Sequence, residues 1–381
     1  MIDSNNYESI KSSVNERMRE DKDLLDKLRT EICVLKPDVR RIQPRNTTSI
    51  SLVGTDGGNN KLRFDPFLIQ VIRVVDSSNN EYYTDVITPS TDIRDLDNKI
   101  LVKKEIKFSA LRELMEYLDV NSLTKLSPMI KISTPDKPIS PSWVQVYREI
   151  VEWAILFKII REKDFGTDTL VLFDGLLRCK VFSHDLFAKL RIGLEDSIRN
   201  QYEKNRRRIY IAGLAKHSSV LARYRLAMYI EDIMTTNYPC YVEIDRKIEE
   251  KAYIWNEYAR GDDSNLENVT EINKYVAGKM FFVKFGNGSM DPIWPIDIFQ
   301  SQTKESQLII GCLLADAING FPVPFYPLSL QKAHENAALV DFDFEIIQNH
   351  IFDAIRSILG DDATKVDMFR LQDSDPSSYR Y

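Results

Sequence analysis

Between residues 49 and 89, three runs rich in β-branched and aromatic residues follow one another: SISLVGT, PFLIQVIRVV and EYYTDVIT. DGGNN follows the first and DSSNN separates the second from the third, both read as turns. Side chains of the first kind suit a pleated, half-buried surface, and Gly, Asn, Asp and Ser suit tight turns. The segment therefore predicts an antiparallel meander of three short strands.

A helical pattern resumes near 105–118, EIKFSALRELMEYL, and a polar, Pro-rich stretch at 127–142 ends in SPSW. Ser140 or Ser142 is placed there to cap the next helix. That helix, over about 142–162, is long and mostly apolar (SWVQVYREIVEWAILFKIIRE). TDTLVLFDG at 167–175 is a short continuous apolar run, as expected of a central strand buried on both faces. Three strands, a helical crossover and a buried strand open an RNase H-like fold: α/β, a mixed sheet flanked by helices. Further helices are expected at 184–207, 218–234, 303–318, 327–339 and 343–359, with strands at 208–215 and 279–286.

Ahead of the meander, Ile10, Val14, Met18, Leu25, Leu28 and Ile32 recur at helical steps, predicting a helix over 6–34 that packs on the main body or on a second subunit. A basic, Pro-punctuated connector, LKPDVRRIQPRN, follows. The expected organisation is an N-terminal helix and connector (1–46), one RNase H-like α/β domain (47–366) and a flexible tail (367–381). No apolar run approaches the roughly 18 residues that span a bilayer, and the N-terminus has no apolar signal region. A cytoplasmic protein without a membrane segment is expected. Cys33, Cys179, Cys240 and Cys312 are far apart and form no metal-type pair, and there are four His residues, so any metal should be held mainly by carboxylates.

Two aspartates stand at the ends of apolar runs, each directly before glycine: Asp56 in VGTDGG and Asp174 in LVLFDG. Either alone is most often a turn. On adjacent parallel strands, however, both carboxylates emerge at one sheet edge, where oxygen ligands hold a divalent cation. A third acid is expected from the crossover helix. Glu149 and Glu152 are three apart and share a face. Glu152, within IVEWAILF, is costly to bury unless paired or metal-bound, although a satisfied ion pair with Arg148 is the plain alternative. The spacing leaves the choice open, with a lean to Glu152.

The net charge is −6, but its distribution is uneven: residues 176–225 carry twelve Lys/Arg and four Asp/Glu. Arg178, Arg206, Arg207 and Arg208 in this stretch, and Lys284 beyond it, are candidate contacts for a nucleic-acid backbone. The ordinary reading of such a stretch is a solvated helix face, and of Lys284 a surface lysine at a strand end. His184 and His217 have no motif support and read as solvent-facing.

The segments VGTDGG, LVLFDG, GLAKHS (213–218) and GFPVPFYPLSLQKAH (320–334), in this order, resemble the NurA family of DNA-end-processing nucleases over about residues 49–340. The resemblance implies a manganese- or magnesium-dependent DNA nuclease, with two ions bridged by carboxylates, forming a homodimer on a HerA-like hexameric ATPase. Asp56, Glu152 (or Glu149) and Asp174 match the family's metal-binding acids, His334 its late histidine, and Lys216 its strand-end lysine, a cation for the scissile phosphate. The sequence departs at Asp-Gly-Gly, where Asp-Gly-Ser is commoner. There is no Walker A segment, so ATP-driven motion would come from a partner. A catalytically inactive RNase H-like subunit for DNA binding or assembly is the alternative. A guide-dependent Argonaute-type nuclease is more distant, since the chain is short for it.

Overall fold

The computed structural model describes residues 4–45, 50–64, 67–132, 141–253, 274–339 and 341–360. The chain begins with α1 (Ser4–Glu20), α2 (Lys22–Ile32) and a short strand β1 (Arg40–Arg41). The meander forms as β2 (Ser51–Phe64), β3 (Phe67–Asp76) and β4 (Glu81–Ile87). Short helices α3 (Ile93–Asp97), α4 (Ser109–Tyr117) and α5 (Leu123–Leu126) lead to the crossover helix α6 (Trp143–Glu162). Then come β5 (Thr169–Asp174), α7 (Leu186–Asn205), β6 (Ile209–Leu214), α8 (Ser219–Ile230), β7 (Cys240–Glu243) and α9 (Arg246–Ala252). The remaining elements are β8 (Gly278–Lys284), β9 (Ile293–Phe299), α10 (Ser306–Ala317), α11 (Leu328–Ala337) and α12 (Asp341–Leu359).

The strands form one sheet in the order β1-β7-β8-β9-β6-β5-β2-β3-β4. β2, β3 and β4 pair antiparallel, while β2, β5 and β6 run parallel. A meander, a helical crossover and two parallel strands beside the first are the RNase H-like arrangement, here extended by antiparallel β9, β8 and β7. Pairing between β2 and β5 runs from Ser51↔Thr169 to Thr55↔Phe173. Asp56 and Asp174 are the next residue on each strand, so they stand abreast at one edge.

Alternation along β5 divides the core. Val171 and Phe173 face α6 and α7, where Trp153 packs on Phe173 and edge-on to Phe187. Leu170 and Leu172 face the opposite layer, with Ile309, Ile310 and Leu313 of α10 and Leu330 of α11. By the same alternation Asp174 belongs to the α10–α11 face.

Four expectations change. DGGNN is not a turn: β2 runs through it to Phe64, so Asp56 lies within the strand, paired with Val75, and stands at the end only of the stretch that pairs with β5. The helix over 6–34 is two helices that break at Asp21. Ile32 and Leu28 of α2 pack with Val220, Leu221 and Tyr224 of α8, whereas Ile10, Val14 and Met18 of α1 are exposed. β7 and β9 were not predicted; Pro295 argues against a central strand. It is tolerated because the registered β6 pairing ends at Leu214↔Ile296 and the proline still accepts from the Ala215 N–H at 3.2 Å, so its missing N–H falls at the end of that ladder. Ser142 stands at the N-cap of α6 but makes no capping bond with its side chain. Ser140 and the 367–381 tail lie outside the described residues. No helix among the described residues is long and apolar enough to cross a membrane.

Candidate metal centre

β2 is glycine-rich because both its faces are closely approached. On one face, a Cβ at Gly54 would lie 2.6 Å from the Ser329 carbonyl oxygen, and one at Gly58 would lie 2.4 Å from that of Ala337. Helix α11 therefore lies directly on the strand backbone, its start fixed by Ser329, whose N–H and Oγ donate to Asp316 Oδ2 at 3.0 and 2.7 Å. Asp56 lies between these glycines on the same face. Its Oδ2 is 2.8 Å from His334 Nδ1. The departure at the third motif position is explained here: Gly58 is required by the helix contact, and serine would collide with it.

Asp56, Asp174 and His334 each present one ligand atom, and these atoms all lie within 4.8 Å of one another. Burial pushes the Asp174 carboxyl up from its ordinary pKa, and the charge of Asp56 adds to this; Lys216 and a hydrogen bond from Tyr326 oppose it. The hydrogen bond to Asp56 raises the His334 imidazole above its ordinary value, partly offset by burial. Two half-buried carboxylates facing each other with an imidazole beside them form a donor set that fits a hard or borderline divalent cation.

Glu152 reaches the same place from the opposite face. Its Oε1 lies 1.9 Å from where a Cβ of Gly57 would sit. It pairs with Arg148 Nε at 3.1 Å, yet its carboxyl is pushed up to about 8, first by burial and then by Asp56, Glu149 and Asp174 against the pull of Arg148. Glu149 is turned aside: its Oε1 accepts from the buried Cys179 Sγ at 3.0 Å. Neither glutamate belongs to the Asp–Asp–His cluster, but Glu152 stands next to it. A cleft of about 350 Å³ opens beside these groups, lined by Arg148, Glu152, Asp174, His217 and Ser219.

Tyr326 is a site residue that the sequence reading passed over. Its hydroxyl donates to Asp174 Oδ1 at 3.2 Å, and its ring stands edge-on to Trp294 with centroids 5.0 Å apart. Lys216, exposed, lies over that ring with Nζ 5.5 Å from the centroid. A tyrosine in a Pro-rich run had no distinguishing signal beyond lying in the segment that ends at His334.

The candidate nucleic-acid contacts separate into two groups. Arg178 is buried: it donates to both oxygens of Asp297 at 2.7 and 2.8 Å, to Glu249 at 2.6 Å and to the Tyr253 hydroxyl at 2.9 Å. Lys284 is fully buried and donates to the carbonyls of Thr236 and Gly288. Both were read as surface charges, and both are internal ties with no face to offer a strand. Arg206, Arg207 and Arg208 are exposed, but they precede β6 at the sheet edge opposite Asp174. A six-residue strand separates the two edges by about 17–20 Å. His184 and His217 are exposed, as expected.

No protein-family model matches the chain, and no curated protein matches it. Among solved structures it is similar to the NurA nuclease from Sulfolobus solfataricus, at 13% identity and a TM-score of 0.46, over 92% of this chain and 98% of that one. It is also similar to NurA bound to dAMP and manganese, at 12% identity and a TM-score of 0.36, over 86% and 94% of the two chains. A third is NurA with manganese, at 12% identity and a TM-score of 0.37, over 91% and 98%.

Proposed function

We propose that the protein is a divalent-metal-dependent nuclease that hydrolyses phosphodiester bonds in DNA. The observation that carries this reading is the convergence of Asp56, Asp174 and His334 at the edge of an RNase H-like sheet. Asp56 and Asp174 would hold the cation, His334 would complete or orient the set, and Glu152 would be released from Arg148 to join it. When bound, Mn²⁺ or Mg²⁺ supplies Lewis acidity toward the phosphate and a water of lowered pKa. Tyr326 fixes the Asp174 carboxylate through its hydroxyl. Lys216, held over the Tyr326 ring, offers a point charge to the non-bridging phosphate oxygens.

The finer parts of the reading are a pair of ions, a homodimer and service to a HerA-like hexameric ATPase in DNA-end processing for repair or phage defence. Their support is the sequence resemblance. Calorimetric Mn²⁺ titration and sedimentation test the first two, and co-purification with such an ATPase tests the third.

The decisive experiment is cleavage of labelled single-stranded and linear duplex DNA with Mn²⁺, Mg²⁺ or EDTA. Cutting should require the metal and should disappear in both Asp56→Ala and Asp174→Ala. Failure of the wild type to cut with either metal, even beside an ATPase partner and ATP, would overturn the proposal.

A further inference from the structure

The loop between α10 and α11, whose Tyr326 donates to Asp174, carries an exposed apolar tip. Phe321, Pro322, Val323 and Pro324 are exposed in succession, Phe321 at 77%. The loop, INGFPVPFYP over 318–327, contains no charged residue. A soluble protein often exposes an isolated apolar side chain. Four in a row on a loop that is held still call for another account.

The loop is held by one buried side chain. Gln331 accepts from the Val323 N–H at 2.9 Å and donates to the Val323 and Tyr326 carbonyls at 3.0 and 2.9 Å. The chain also closes on itself: a Cβ at Gly320 would lie 2.2 Å from the Tyr326 carbonyl oxygen. The two prolines further restrict the tip. At the closed base stands Tyr326, hydrogen-bonded to Asp174 and covered by Lys216. The loop is thus braced at Val323 and Tyr326, and its base is tied to Asp174.

We propose that Phe321, flanked by Val323, is a stacking platform for a nucleobase of the strand whose phosphate lies at the metal centre. The inference rests on the nuclease reading. A base adjoining a bound phosphate presents an apolar π-face with no hydrogen bonds to satisfy, which is what an uncharged aromatic tip can take without reading sequence. Four residues fall far short of the roughly 20–30 per side that a stable protein interface uses. Tyr326 ties the base of this same loop to Asp174 and carries Lys216 over its ring, which joins the tip to the centre along a short, braced stretch of chain.

The test uses the full-length protein in EDTA, so that the strand stays intact, and a short single strand carrying 2-aminopurine near its end. Binding by anisotropy should weaken about tenfold in Phe321→Ala and be kept in Phe321→Trp, within the roughly 5- to 150-fold range of base–aromatic stacking. The 2-aminopurine fluorescence quenched by wild type should recover in Phe321→Ala. An abasic strand should bind wild type more weakly while making no difference to the alanine variant. Unchanged binding and quenching in Phe321→Ala would overturn the stacking role alone, as would a loss of self-association with DNA binding intact, which would assign the tip to contact between copies. Wild-type protein that neither binds nor, with Mn²⁺, cuts the strand would overturn the nuclease reading together with it.

Discussion

The carboxyl of Glu152 fills the space that a side chain at Gly57 would need, with Oε1 1.9 Å from the position of that absent Cβ. The smallest substitution on the strand therefore acts on the helix acid. Gly57→Ala should push Glu152 away from Asp56 and lower metal affinity about 10- to 100-fold, the range typical for disturbing a group that supports metal ligands. Mn²⁺ titration by calorimetry reads this directly, and an unchanged affinity would remove Glu152 from the centre.

Glu152 also gives the metal-free protein a pH signature. Its carboxyl is pushed up to about 8 in the fold, from an unfolded value near 4.3. Between these values the folded chain binds the extra proton, so stability falls as pH rises from about 4.5 to 8. Glu152→Gln should flatten that slope and raise stability at pH 8 by on the order of 3 kcal/mol. Urea denaturation at pH 5 and pH 8 in EDTA decides it. A wild-type stability that rises over this window, with no gain in the variant, would contradict the assignment.

Asp76 should behave in the opposite way. Burial alone would raise its pKa, but bonds from Asn80, Tyr82 and the Ser78 N–H outweigh it and hold the carboxyl below its ordinary value. Its contribution is complete above the unfolded pKa of about 3.9 and is lost as pH falls through the lower folded value. Asp76→Ala should cost about 2–3 kcal/mol at neutral pH and lose most of that deficit near pH 2, measured by denaturant midpoint.

Removal of Arg178 should unfold rather than merely weaken DNA binding. Arg178→Ala leaves Asp297 and Glu249 buried without their partner, a loss of about 3–5 kcal/mol. Replacing Arg206, Arg207 and Arg208 together by alanine should leave stability and cleavage of short strands unchanged, since these residues stand at the far edge. Thermal melts and oligonucleotide cleavage separate the two variants.

Tyr326→Phe removes one hydroxyl and keeps the ring under Lys216. Activity or metal affinity should fall about 10- to 100-fold, with little change in melting temperature. Equal activity in the two proteins would show that Asp174 needs no such tether.

The parts of this molecule legible in its sequence are those with a local signature. β-rich apolar runs leading into Asp-Gly marked Asp56 and Asp174, although β2 continues past Asp56 to Phe64, and an apolar twenty-residue stretch marked α6. The sequence leaned to Glu152 over Glu149 without deciding between them, because what separates them is how one rotamer passes Gly57 while the other turns to Cys179. Arg178 and Lys284 were misread for a related reason: counting charges along a chain cannot show that Arg178 meets Asp297 across 119 residues. The β9 strand was hidden by Pro295, whose tolerance depends on where its neighbour stops.

His334 and Asp56 are 278 residues apart in the chain yet 2.8 Å apart in the fold. During synthesis, therefore, a nascent chain carries both aspartates long before it carries their imidazole partner or the helix that seats it. The Asp–Asp–His set is therefore complete only once α11 has been made, and a copy that stops before His334 carries two facing carboxylates without their imidazole.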